Sequence, residues 1–165
     1  MKIVAFIGHK GAGKTQFICE LISVLRARGY RVGTAKHVSP EVEPDKPHTD
    51  THRHRMAGAE RVLLYSERHG ALFWDHRGEE VAHFVERFLN DLDIVILEGF
   101  KTGPFPKIEI YSVGEPLAGK IPVLAVVTNR KVIVPDGVDL LPRDPEAVAD
   151  FIEAVVPDAP GQGPG

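Results

Sequence analysis

The stretch Ile3-Val4-Ala5-Phe6-Ile7-Gly8-His9-Lys10-Gly11-Ala12-Gly13-Lys14-Thr15 decides the fold. Its five leading apolar residues, closed by glycine, read as a buried strand. Beyond it Phe17, Ile18, Leu21, Val24 and Leu25 recur at three and four residues, the period of an amphipathic helix predicted over 14–28. Gly29 ends that helix as a left-handed C-terminal glycine. Between strand and helix, Gly8 to Thr15 fits G-x-x-x-x-G-K-[ST] in full, in the strand–loop–helix context that the motif requires. Glycines at 8, 11 and 13 permit backbone shapes and close approaches that a Cβ would block. Successive N–H groups then form an anion nest at the positive end of the helix. Lys14 supplies a full charge to β- and γ-phosphates, and Thr15 a hydroxyl to Mg²⁺. The expected nucleotide-binding residues are therefore Gly8, His9, Lys10, Gly11, Ala12, Gly13, Lys14, Thr15 and Gln16, with Lys14 also in a catalytic role.

Outward from this loop, short β-branched runs alternate with helical periods, the pattern of βαβ units. The expectation is an α/β fold of the three-layer P-loop NTPase type, a mostly parallel sheet with helices on both faces. Further strands are predicted at 31–36, 61–65, 71–74, 93–97, 108–111, 123–127 and 132–134, and helices at 50–59, 79–89 and 145–156. Residues 38–48 hold three prolines and no periodicity, a loop long enough to suspect a function. One domain is expected over 1–156, followed by a Pro/Gly-rich disordered tail over 157–165.

Composition narrows the function classes. A chain of 165 residues buries about two-thirds of its unfolded surface without disulfides. The net charge of −3 argues against a nucleic-acid partner, which calls for a strongly basic face. Cys19 is the single cysteine, so no intramolecular disulfide or thiolate cluster forms; a buried thiol and a reducing compartment are expected. No apolar run approaches the length of a bilayer span, so no membrane partner and a cytoplasmic location are expected.

Mg²⁺ beside such a loop needs an acidic partner from a neighbouring strand end. Glu98, directly after Ile94-Val95-Ile96-Leu97, is the candidate, either as a ligand or through a metal-bound water. The 38–50 loop, with Lys36 and His37 before it, has the place of a switch segment. Asp45 and Asp50 are its catalytic candidates, holding the metal or orienting the attacking water, and Asp50 has the alternative of capping the next helix. His48, His52, Arg53, His54 and Arg55 form a basic cluster that reads as a solvated face, an anion site or a two-histidine start to a zinc site. Lys101 and Lys107 are candidates to extend an anion site, while Phe73 and Trp74 read as core. Thr128-Asn129-Arg130-Lys131 follows a late strand without the aspartate of an Asn/Thr-Lys-x-Asp guanine reader, so Asn129 is the remaining candidate for a base contact.

In order along the chain, Gly8–Thr15, Arg28-Gly29-Tyr30-Arg31-Val32-Gly33, Lys36-His37, Asp45-Lys46-Pro47, Asp50-Thr51-His52-Arg53-His54-Arg55, Ala57-Gly58-Ala59, Glu98-Gly99-Phe100-Lys101 and Pro106-Lys107-Ile108-Glu109 resemble the molybdopterin-guanine dinucleotide biosynthesis protein B (MobB) family. The resemblance covers about residues 2 to 111 and implies a homodimeric GTP-binding protein with weak Mg²⁺-dependent GTPase activity. It implies assistance to the step that attaches a guanine nucleotide to molybdopterin, beside the nucleotidyltransferase that performs it. GTP, Mg²⁺ and molybdopterin or its guanine dinucleotide are the ligands so implied. Gly11, Gly13, Lys14 and Thr15 would hold phosphates and Mg²⁺, Glu98 the second acidic position, and residues 45–55 the switch-like segment. Two other readings use the same residues: a nucleotide-switched adaptor without useful turnover, and a small-molecule kinase.

Overall fold

Strand β1 (Lys2–Ile7) lies inside the sheet because it presents no polar face: Val4 to Ile7 are fully buried. In the computed structural model, which describes residues 1–39, 42–76 and 78–159, it is flanked by β5 (Ile94–Glu98) and β6 (Lys107–Ile110), with β2 (Val32–Lys36) beyond β5. On the other side β7 (Ala125–Val127) and β8 (Asp139–Leu141) complete the order β2-β5-β1-β6-β7-β8. Every neighbouring pair is parallel. Strands buried on both faces read as continuous apolar runs, which is why Ile94 to Leu97 and Ala125 to Val127 carry no alternation.

One face is covered by α1 (Lys14–Ala27) and α4 (Pro145–Val155), whose Phe17, Leu21, Val148 and Ile152 join Val4, Phe6, Ile96 and Ile108 in one core. Gly29, at φ 94°, lets the Tyr30 N–H turn back to the Leu25 carbonyl at 3.1 Å and closes α1. Arg28 joins the two helices, reaching Glu146, Asp150 and Glu153 of α4. Asp144 caps α4 by accepting the Glu146 N–H, with Pro145 in the first turn as predicted. Toward the other face Gly33 of β2 is where Leu89 and Leu92 pack, leaving no room for a Cβ. They follow α3 (Val81–Phe88), which buries Val85. The sequence expectation of helices on both faces holds.

The chain divides into two compact units, Met1–His37 with Phe84–Gly165, and Val38–His83. The second unit contains α2 (Asp50–Met56) packed on an antiparallel hairpin of β3 (Arg61–Tyr65) and β4 (Gly70–Trp74). The predicted helix over 50–59 stops earlier, because Gly58 takes φ 101° and Ala59 donates back to the His54 carbonyl.

Two expectations about the sheet are corrected. Residues 132–134 form no strand: Ile133 is 94% exposed, Val132 and Val134 are only half-buried, and Pro135 stops any extension of the run with a further donor. The sixth strand is β8 instead, a run of only three residues that local periodicity does not reveal. Within the expected tail, Asp158 bridges Lys2 and the Ala159 N–H reaches the Met1 carbonyl; residues 160–165 lie outside the described ones.

Strand β6 is apolar on one face and ionic on the other, yet all four residues are buried. The Glu109 carboxylate accepts the Leu117 and Ala118 N–H groups at 2.8 Å each, pinning the loop after the strand. Glu109→Ala strands both donors, each costing about 1–3 kcal/mol when buried and unpaired. The expected result is a destabilisation of about 3 kcal/mol in urea unfolding, with Glu109→Gln recovering part of it through its remaining carbonyl oxygen.

Candidate nucleotide site

Because the six strands are parallel, their carboxyl ends open on one edge, where ligands bind in such sheets. The loop after β1 turns there under steric constraints that explain two of its glycines. Gly8, at φ 151°, passes so close to the Ile110 carbonyl that a Cβ would collide with it. Gly13, at φ 76°, stands at the helix start with the Arg143 guanidinium where its Cβ would be. The Lys14 ammonium lies back over the loop, donating to the Gly8 carbonyl at 3.1 Å and the His9 carbonyl at 2.9 Å. Burial holds its pKa below the ordinary 10.5; Glu98 opposes that shift, and the charges of Lys101 and Lys36 add to it. A partly dehydrated ammonium beside convergent amides gains most from an anion that restores its lost solvation. His9 is tied outward, its Nε2 at 2.8 Å from the Glu115 carbonyl, and Gln16 donates to Glu20.

Glu98 is the last residue of β5, in register with Phe6 on one side and Lys36 on the other. The Thr15 hydroxyl donates to its Oε1 at 2.7 Å, and the Lys36 ammonium lies 3.3 Å from the same atom. The Glu98 side chain is only 14% exposed, so its charge is balanced by neighbours more than by water. A hydroxyl and a carboxylate oxygen side by side, at the mouth of a backbone nest, form a hard oxygen donor set that suits Mg²⁺. The residues fit the ion that the motif implies.

A cavity of about 360 Å³ adjoins the loop, lined by Gly11 to Gly13, Tyr111, Ser112, Thr128 to Arg130 and Arg143. Asn129 Oδ1 accepts the Arg143 N–H at 3.0 Å. Its partner being a donor fixes which end of the amide is oxygen, and the capacity that remains includes the NH₂ as donor. Arg143 itself was missed in the sequence. The one signal for it was its place just before the Asp144-Pro145 helix start, which reads as a site only once β8 is known to end at the same sheet edge.

In the second unit Asp45 is 6% exposed, and its Oδ1 accepts the hydroxyls of Thr49 and Thr51 at 3.2 and 3.1 Å. Its Oδ2 is buried without a hydrogen-bond partner. Asp50 is exposed and pairs with Arg53; the cap of α2 is Thr49, which accepts the His52 N–H, so the capping alternative for Asp50 does not hold. The basic cluster is partly neutralised: Arg55 pairs with Glu43, whose carboxyl this contact holds below its usual range. The His48 and His52 rings stand 6.5 Å apart, and among the described residues no group of three or more His, Cys, Asp or Glu could hold a metal.

Two side-chain expectations are overturned. Lys107 is buried and donates to the Gly103 and Phe105 carbonyls at 2.8 and 3.0 Å; it pins its own turn and offers no anion site. Cys19 is exposed, since it falls between the buried positions of α1. Phe73 and Trp74 are half-buried.

Comparison with known proteins bears on this arrangement as a whole. The family model "Molybdopterin guanine dinucleotide synthesis protein B" matches residues 3–129. A molybdopterin-guanine dinucleotide biosynthesis adapter protein of Escherichia coli is 32% identical, covering 91% of this chain and 90% of its own length. One of Haemophilus influenzae is 31% identical over 92% of this chain and 87% of its own. A crystal structure of molybdopterin-guanine biosynthesis protein B superposes with TM-score 0.71 at 28% identity, covering 93% of this chain and 99% of that one. The crystal structure of Bacillus subtilis MobB, at TM-score 0.75, 21% identity and coverage of 96% and 100%, shares the fold. With its phosphate loop and mixed-length parallel sheet accounted for, and with that match over residues 3–129, the chain belongs to the molybdopterin guanine dinucleotide synthesis protein B family.

Proposed function

We propose that this protein binds Mg²⁺-GTP at the loop after β1, hydrolyses it weakly, and serves the attachment of a guanine nucleotide to molybdopterin as an accessory to the nucleotidyltransferase. The observation that carries the nucleotide half is the pairing of Thr15 with Glu98 at 2.7 Å, beside a lysine poised over a glycine nest. Family membership carries the pathway half. Thr15 and Glu98 would hold the metal, which would supply neutralisation of phosphate charge when bound. Lys14 would exchange its two backbone carbonyls for phosphate oxygens. The base would enter the cavity beside Asn129, whose amide offers a donor to a ring acceptor; guanine and adenine both present one, so the choice of GTP comes from the family. A cytoplasmic homodimer is part of the same proposal.

A second reading has one point in its favour, the adapter names of the relatives from Escherichia coli and Haemophilus influenzae. In it the nucleotide would order the loop over 38–50 and the helix after it, and no useful turnover follows. Isothermal calorimetry with Mg²⁺ decides the base: GTP is expected to bind well ahead of ATP, and equal binding, or none, sinks the GTP assignment. Single-turnover phosphate release by the protein alone separates hydrolysis from simple switching.

A further inference from the structure

Arg143 makes an unusual set of contacts for a residue outside the phosphate motif. Its Nη1 donates to the Ala12 carbonyl at 3.0 Å and its Nη2 to the Gly13 carbonyl at 2.9 Å. The guanidinium carbon lies 5.6 Å from the centre of the Phe17 ring, on the first turn of α1. Its own N–H is held by Asn129 at 3.0 Å, and the Thr128 N–H reaches the Leu141 carbonyl at 3.0 Å just before it. Both the backbone and the side chain of Arg143 are therefore fixed, and the residue lines the cavity beside the loop.

We infer that Arg143 is the positioning residue of the phosphate site: by fixing the carbonyls of Ala12 and Gly13 it aims the amides of Gly13 and Lys14 at the bound phosphates. The physical step is the planarity of the trans peptide, in which C=O and the following N–H point in opposite directions. A fork that captures two successive carbonyls, the second of which also accepts the Phe17 N–H at 3.1 Å, therefore holds the two following N–H groups pointing away from the guanidinium. The guanidinium also polarises those peptides and strengthens them as donors. Only arginine offers two parallel donors in a rigid plane; lysine, a point charge, holds one carbonyl well. Gly13 has a second role in this arrangement, since a side chain there would displace the guanidinium. The inference rests on the proposed nucleotide site and adds the residue that shapes it.

The test is calorimetry with inorganic tripolyphosphate, GTP and guanosine on the wild type, Arg143→Ala and Arg143→Lys, with circular dichroism to verify folding. Loss of the fork is expected to weaken tripolyphosphate and GTP by the same factor, about tenfold or more, the equivalent of one charge-assisted hydrogen bond. Arg143→Lys is expected to recover part of that loss. In the ligand-free protein the ¹⁵N–¹H resonances of Gly13 and Lys14 are expected to move in Arg143→Ala. If Arg143→Ala does not fold, Arg143→Gln carries the same comparison. Wild-type affinity for tripolyphosphate in the variant overturns the inference. So does a loss confined to GTP and guanosine, which would make Arg143 a base contact. Failure of the wild type itself to bind tripolyphosphate or GTP overturns the proposed nucleotide site and this inference with it.

Discussion

Lys14→Ala is expected to weaken GTP binding by about a hundredfold or more, the scale of removing one partner from a desolvated, hydrogen-bonded charge pair. Lys14 is the motif lysine of the loop, and its ammonium donates to the Gly8 and His9 carbonyls. Neutral carbonyls replace water poorly, which is why burial holds its pKa below 10.5. The sign of the stability change follows. Between the lowered value and 10.5 the unfolded chain binds this proton more tightly than the folded one, so stability rises with pH across that window. The charged lysine thus strains the ligand-free fold, and Lys14→Ala is expected to melt no lower than the wild type near neutral pH. Binding runs the other way: phosphate restores the proton's affinity, so GTP affinity is expected to fall as pH rises past the lowered pKa. Titration calorimetry across alkaline pH, with thermal melts alongside, checks both. A variant that binds GTP as well as the wild type would remove the phosphate assignment altogether.

The second large effect is expected at Glu98. Glu98→Gln keeps an oxygen to accept the Thr15 hydroxyl but loses the charge that Lys36 faces at 3.3 Å. Outer-shell and ligand carboxylates of metal sites typically change metal affinity by about 10–100-fold when altered. The Mg²⁺ concentration needed for half-maximal GTP binding is therefore expected to rise by about that factor. Binding of GTP without Mg²⁺ is expected to hold steady or improve, because one negative charge has left a cluster that already includes Lys14, Lys36 and Lys101. A magnesium titration followed with a fluorescent GTP analogue reads both. An unchanged magnesium requirement would show that the carboxylate serves only to anchor Thr15.

Glu98 also shows how far sequence reasoning reaches. Its position at the end of a buried apolar run placed it at the ligand edge of the sheet, and that was enough to name it. Its pairing with Thr15 and Lys36 was not legible, because it depends on β5 lying between β1 and β2. Lys107 failed in the opposite direction, and its strand neighbour Glu109 carried no expectation at all. Each looks like a surface charge in a short strand, yet each is buried and satisfied by backbone groups that come from turns outside the strand. Asp50 and Thr49 differ by one residue in a stretch where both types cap helices, and only the actual start of α2 chose between them.

What the sequence determined by itself is local: the apolar run of β1, the period of α1, and the glycines and lysine between them, each dictated by neighbours within a few residues. Parallel pairing followed from the alternation of such runs with helices. What the tertiary structure decided is which distant residues share the mouth of that loop. Arg143 arrives there only because a three-residue strand, too short to show any period, joins the sheet beside β7 and ends at the same edge. Cys19 and Lys107 exchanged their expected places for a related reason: burial depends on what packs against a residue, and that is fixed by strand order and helix placement across the whole chain.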